Sequence, residues 1–170
     1  MLALQYFLSY RMRAIRTRMF THPGPRRGDV FAESTFALQI AEIEAGLRAN
    51  PVHVGNLDSV RTVIDVRDAA RAYWMLLEKC RPGEAYNIGG ERALTVGEIL
   101  DILRRMARCP IEHALDPARL RPSDVTLQIP DTSKFRAETG WKPEKTVEQT
   151  LGDLLDYHRA RVRRRQANQA

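Results

Sequence analysis

The sequence predicts an α/β fold, and three observations point to it. Short segments of strand-like alternation are interleaved with longer stretches of helical apolar spacing, two of those stretches open on complete capping-box patterns, and glycines and prolines punctuate the junctions. At 170 residues the chain slightly exceeds one ordinary domain of ~150 residues and is long enough to bury a core.

The first element, over 2–11, reads as the end of a helix. A strand is expected over 14–20, where Ile15, Thr17 and Met19 alternate with Arg16 and Arg18. Thr21-His22-Pro23-Gly24-Pro25-Arg26-Arg27-Gly28 holds two prolines, two glycines and two arginines, so it is a loop of restricted backbone rich in cationic donors. From 31 to 47, Phe36, Ile40, Ile43 and Leu47 recur on one helical face, and Gly46 marks the C-terminal end. Short strands are expected at 52–54 and 60–64, on either side of a Gly55-Asn56-Leu57-Asp58 turn. Asp65 or Asp68 caps the next helix, which runs to Lys79 with Ala70, Tyr73 and Leu77 as its buried stripe. Residues 84–88 form another strand, ended by Gly89-Gly90. Thr95 and Glu98 make a capping box for a helix packed through Val96, Ile99, Leu103 and Met106. A strand at 111–115 precedes a stretch made irregular by Pro117, Pro122 and Pro130, and Thr146 with Gln149 opens a last helix through Val147, Leu151 and Leu154.

Composition narrows the function classes. With 44% hydrophobic and 28% charged residues the chain is an ordinary globular sequence, neither disordered nor collagen-like. Cys80 and Cys109 form no Cys-x-x-Cys pair, so neither a zinc site nor a redox pair is indicated, and a reducing, cytoplasmic compartment is expected. No apolar run reaches the ~20 residues of a membrane span, and no basic residue precedes Leu2-Ala3-Leu4 as in a signal peptide. The net charge of +6 is mostly local, because Arg159, Arg161, Arg163, Arg164 and Arg165 gather at the C-terminal end. Cations there favour the helix macrodipole and no aromatics interleave for base stacking, so a solvated basic helix end is expected rather than a nucleic-acid surface. His22, His53, His113 and His158 are scattered without triad or metal-ligand spacing. No Gly-x-x-Gly-x-x-Gly or Gly-x-Gly-x-x-Gly cradle and no Tyr-x-x-x-Lys pair occurs.

The most informative feature is an ordered set of segments. Arg16-Thr17-Arg18-Met19-Phe20-Thr21-His22-Pro23-Gly24-Pro25 is followed by Gln39-Ile40-Ala41-Glu42-Ile43-Glu44-Ala45-Gly46, Gly55-Asn56-Leu57-Asp58, Asp65-Val66-Arg67-Asp68 and Arg71-Ala72-Tyr73-Trp74. Further on come Gly83-Glu84-Ala85-Tyr86-Asn87-Ile88, Leu120-Arg121-Pro122-Ser123-Asp124-Val125 and Thr139-Gly140-Trp141-Lys142-Pro143. Each alone discriminates little, but in this order the set resembles the C-terminal half of an extended short-chain dehydrogenase/reductase acting on nucleotide sugars, most similar to the GDP-6-deoxymannose reductases and next to the GDP-mannose 4,6-dehydratases. The resemblance runs from about residue 4 to 160.

It implies the substrate-binding part of a Rossmann-type enzyme, with small sheets and packed helices. Residues 1–30 would be a remnant of the Rossmann domain and 31–170 the nucleotide-sugar-binding region. The dinucleotide core and the catalytic Tyr-x-x-x-Lys would lie upstream, so no catalytic residue is assigned here and NAD(P) belongs to the parent enzyme, with no tight binding expected of this chain alone. The implied partners are a GDP-sugar, a missing N-terminal half and, in the parent, a second copy. A non-catalytic binding module is the reading from another class.

The resemblance also assigns site residues. Arg61 and Arg121 would reach the substrate pyrophosphate, for which guanidinium forks are suited because they donate parallel hydrogen bonds and stay charged; an arginine drawn at random from the 23 present would be a surface ion-pair partner. Asp124 would accept from ribose hydroxyls or the base edge, or else cap a turn. Thr21 stands where the family usually has asparagine, a departure that shortens the reach of its polar group. Pro23 and Gly24 match a segment passing near the nicotinamide ring, and Arg26 and Arg27 match a basic loop at the cofactor or a subunit contact. Thr62 replaces an aspartate expected to orient Arg61.

Overall fold

The computed structural model describes residues 2–120 and 125–168. Its elements are α1 (Leu2–Tyr10), β1 (Arg16–Met19), α2 (Ala32–Glu44), β2 (Val52–Val54), β3 (Val60–Thr62), α3 (Val66–Lys79), β4 (Ala85–Ile88), β5 (Ala93–Thr95), α4 (Val96–Arg105), β6 (His113–Leu115), β7 (Leu127–Gln128), α5 (Ser133–Thr139) and α6 (Val147–Ala167). A 3-10 turn at Pro117–Arg119 follows β6. The strands form three small sheets. β1 pairs parallel with β4 and β2 parallel with β6, while β3 lies between β5, antiparallel, and β7, parallel.

Two hydrophobic clusters hold these pieces. One joins α2, α4 and α6 through Phe36, Ile40, Leu100, Leu103, Leu151 and Leu154. The other packs α3, β4 and α5 through Ala72, Leu76, Tyr86, Ile88, Phe135 and Trp141, with Ile15 and Met19 at its margin. β1 therefore shares its sheet and core with segments far along the chain. Its register with β4 runs from Arg16 opposite Ala85 to Met19 opposite Ile88, which gives strand 14–20 a neighbour on one edge.

Both capping boxes form as the spacing predicts, Thr95 with Glu98 on α4 and Thr146 with Gln149 on α6. Asp65, not Asp68, caps α3 by accepting from the Arg67 N–H. Gly46 ends α2 at φ 71°, and Leu47 beyond it is exposed rather than on the buried face. The buried stripe of α3 is also corrected: Ala69, Ala72 and Leu76 face inward, and Ala70, Tyr73 and Leu77 face out. Either set satisfies helical spacing, and the inward one shares a cluster with Tyr86, Ile88, Phe135 and Trp141.

Acid-paired arginines lock α6 in place. Arg159 donates to both carboxylate oxygens of Glu44 at 2.8 and 2.7 Å and to the Met106 carbonyl at 2.9 Å. Burial acts to raise the Glu44 pKa, but Arg159 and the Arg108 N–H outweigh it and hold the carboxyl below its ordinary value. Arg161 holds both oxygens of Asp29 at 2.7 Å, and Arg165 lies 3.6 Å from Glu42. Much of the basic helix end is thus internal bonding.

Candidate functional site

The Gly55-Asn56-Leu57-Asp58 turn is built as its residue types suggest. The Asp58 N–H donates to Asn56 Oδ1 at 2.9 Å, and Asn56 Nδ2 donates to Ser59 Oγ at 3.1 Å, so the side chain closes its own turn. Gly55 is required by a close approach, because a Cβ there would lie 2.7 Å from the Arg119 carbonyl oxygen. The chain after β6 folds back over the turn, with Asp116 N–H donating to the Val54 carbonyl at 2.8 Å. Between them lies an open cleft of ≈ 430 Å³ lined by Val54, Leu57, Asp58, His113, Leu115 and Leu120 among others. Apolar walls with a few polar groups at the rim suit a flat, partly polar ligand.

Arg61 sits in β3 just beyond this turn, half-buried, with Nη1 donating to the Val60 carbonyl at 2.8 Å. β7 pairs with it directly, Gln128 opposite Arg61. Arg121 and Asp124 lie outside the described residues, but the chain on one side of them, at Leu120, lines the cleft, and on the other side it enters β7 beside Arg61. Thr62 follows Arg61 in β3, and neighbours on a strand point to opposite faces. Its hydroxyl is buried without a hydrogen-bond partner near Gly89.

The end of β1 runs along the chain that leaves β3. The Thr21 carbonyl accepts from Ile64 N–H at 3.1 Å and the Pro23 carbonyl from Val66 N–H at 2.9 Å. Gly24 is buried at φ 155°, and a Cβ there would lie 2.5 Å from Val66 Cγ1. The structure therefore brings Thr21, Pro23 and Gly24 to the β3 end of the molecule that also carries Arg61. Arg27 is turned inward: Nε donates to Glu33 at 3.1 Å and its guanidinium stacks 3.5 Å from the Phe31 ring centre. Arg26 is exposed, with φ 73°.

Sequence reasoning missed one pairing, Ser34 with His158, which meet at 2.9 Å across 124 residues. No local signal marks it. Among the described residues no group of three or more His, Cys, Asp or Glu side chains could hold a metal ion, and no helix is long and apolar enough to cross a membrane.

Known proteins resemble this chain in sequence and fold. The chain is 34% identical to the GDP-6-deoxy-D-mannose reductase of Pseudomonas aeruginosa over 162 residues, 95% of this chain and 53% of that protein. It is 28% identical to a GDP-mannose 4,6-dehydratase of Yersinia enterocolitica, covering 91% of this chain and 49% of that one. The solved structure of RMD from Pseudomonas aeruginosa complexed with NADPH superposes with a TM-score of 0.88 at 31% identity over 94% of this chain and 53% of the other. The chain thus spans about half the length of the curated relatives it matches, and its fold is that of the C-terminal half of Rossmann-type epimerase/dehydratases. Residues 1–154 match the family model described as GDP-mannose 4,6 dehydratase, and the chain belongs to that family of nucleotide-sugar short-chain dehydrogenase/reductases.

Proposed function

We propose that this chain is the GDP-sugar-binding portion of an enzyme that reduces GDP-4-keto-6-deoxymannose to GDP-rhamnose with NAD(P)H. The observation that carries the reading is the cleft over the Gly55-Asn56-Leu57-Asp58 turn, which Leu120 lines just before the 121–124 segment, while the chain after that segment pairs with β3, Gln128 opposite Arg61. In this reading Leu57, Leu115 and Leu120 flank the base. Arg61 and Arg121 hold the diphosphate, Asp124 accepts from the ribose or the base edge, and Thr21 lies toward the sugar. A 4,6-dehydratase is the second reading, favoured by Pro25-Arg26-Arg27-Gly28 and by the family model.

The chain's own residues do not fit a dinucleotide. It has no glycine-rich cradle, the Pro23 carbonyl bonds Val66, and the Arg27 guanidinium bonds Glu33. Hydride chemistry therefore belongs to a dinucleotide-binding half, against which Pro23, Gly24 and Arg27 would form the near wall. The purified chain with NADPH should turn over no GDP-4-keto-6-deoxymannose. NADPH oxidation that rises with chain concentration, in a preparation free of host enzyme, would contradict this.

Calorimetric titration tests the binding itself. GDP should bind the chain weakly, and Arg61→Ala or Arg121→Ala should each weaken it by about 1–3 kcal/mol, the range of a charge-assisted hydrogen bond. GDP affinity unchanged in both variants would remove the arginines from the site and the reading with them.

A further inference from the structure

His158 joins three parts of the molecule and is idle in the binding scheme. It is 0% exposed on α6. Its Nε2 lies 2.9 Å from Ser34 Oγ on α2, and that hydroxyl donates to the Arg27 carbonyl at 2.9 Å. A serine hydroxyl has one proton to give. With it committed to Arg27, the Ser34 oxygen accepts from the ring, so Nε2 carries the imidazole hydrogen. Nδ1 is then a bare lone pair, and it is buried without a hydrogen-bond partner. A second proton would create a buried N–H⁺ at Nδ1 with nothing to receive it, an expensive state in an apolar interior.

The surrounding charges are largely tied to one another. The loop contributes Asp29, held by Arg161 of α6 at 2.7 Å. From α2 come Glu33, bonded to Arg27 at 3.1 Å, and Glu42, bonded to Arg48 at 2.9 Å with Arg165 at 3.6 Å. The Tyr157 ring packs edge-on at 5.3 Å. Burial is the largest influence on the ring and lowers its pKa; Asp29 and Glu42 pull the other way and Arg161 adds to the lowering, leaving it below the ordinary histidine value.

We propose that His158 is a positioning residue: its Nε2–H, acting through Ser34, latches the 23–31 loop onto α2, and a second proton on Nδ1, which has no acceptor in the closed form, favours the opened loop in which water receives it. The loop is the part that yields. Arg26, Gly28 and Val30 on it are exposed, whereas the α2–α6 seam behind His158 is filled by Phe36, Ile40, Leu151 and Leu155. The consequence for function rests on the proposed reading, because this loop carries Pro23, Gly24 and Arg27. The latch itself is tested without substrate or cofactor, so its failure is distinguishable from a failure of GDP binding.

Hydrogen exchange on the whole chain between pH 8 and pH 5, corrected for the intrinsic pH dependence of amide exchange, reads the latch. The folded pKa lies below the unfolded value of about 6.5, so the open state gains the proton first. Protection at Arg27, Phe31 and Thr35 should fall by up to about tenfold per pH unit below ~6.5, while Ile40 and Leu154 stay protected. Ser34→Ala should already expose the loop at pH 8. His158→Gln, which keeps an N–H donor but does not titrate, should leave loop protection flat with pH. Loop protection flat in the unmodified chain, acid loosening of Ile40 and Leu154 in step with the loop, or an unaltered pH profile in His158→Gln would each overturn the proposal. If His158→Gln does not fold, the unmodified and Ser34→Ala profiles decide it.

Discussion

Asp68→Ala should lower the unfolding free energy of the chain by about 3–5 kcal/mol, read by urea titration, the cost of removing one partner from a buried charged network. The Asp68 carboxylate is 2% exposed and has three partners. Oδ2 accepts from the Glu144 and Lys145 N–H groups at 3.0 and 2.9 Å, and Oδ1 accepts from Arg71 at 2.8 Å. Alanine would leave two backbone donors without their acceptor and take one carboxylate from Arg71, which keeps the Lys142 carbonyl. Asp68→Asn keeps an oxygen for the backbone donors but turns an NH₂ toward Arg71, so its loss should fall between the two. A loss under about 1 kcal/mol for the alanine variant would mean that water replaces the carboxylate at these donors.

The same residue joins two of the segments that carry the family resemblance. The Asp68 carbonyl also accepts from the Trp141 indole N–H at 3.3 Å, and Trp141 is buried against Phe135 with ring centres 5.7 Å apart. Asp65-Val66-Arg67-Asp68 and Gly140-Trp141-Lys142-Pro143 are thus packing partners. Through them α3 is fastened to the loop between α5 and α6.

What could be read from the sequence follows the range of the interaction. The caps of α4 and α6 depend on residues three apart, and both formed as expected. The face of α3 depends on what lies across from it. Tyr73, Trp74 and Leu77 are apolar at helical spacing yet 43%, 64% and 64% exposed. Strand β7 has only two residues and α5 only seven, too short for either period to register. At the site, the Gly55–Asp58 turn is legible because glycine and asparagine have local work there. The Ser34–His158 pair and the inward turn of Arg27 are settled by tertiary packing that local patterning does not encode.

Gly90→Ala should be the most damaging glycine-to-alanine change among the described residues, lowering stability by about 3 kcal/mol, the upper end of the usual overpacking range. A Cβ at Gly90 would lie 2.3 Å from the Val63 carbonyl oxygen and 2.9 Å from its carbon, atoms of a backbone that has little room to retreat. Neighbouring Gly89 is as confined, its Cβ position 2.6 Å from Pro130 Cγ and 3.1 Å from Phe20 Cβ. Here the end of β4, in one hydrophobic cluster, crosses Val63, which belongs to the other. Val63 is also flanked by Thr62 of β3 and by Ile64, the residue that bonds Thr21. Forcing this crossing apart should therefore loosen the placement of Arg61 relative to Thr21 as well as the fold. Gly28→Ala is the control, since its nearest neighbour would be Phe31 at 3.8 Å and its backbone is not left-handed. That variant should unfold within about 0.5 kcal/mol of the unmodified chain, as surface substitutions usually do. Equal midpoints for the two variants would show that the β4–Val63 crossing is pliable, and a pliable crossing could not be what fixes Arg61 relative to Thr21.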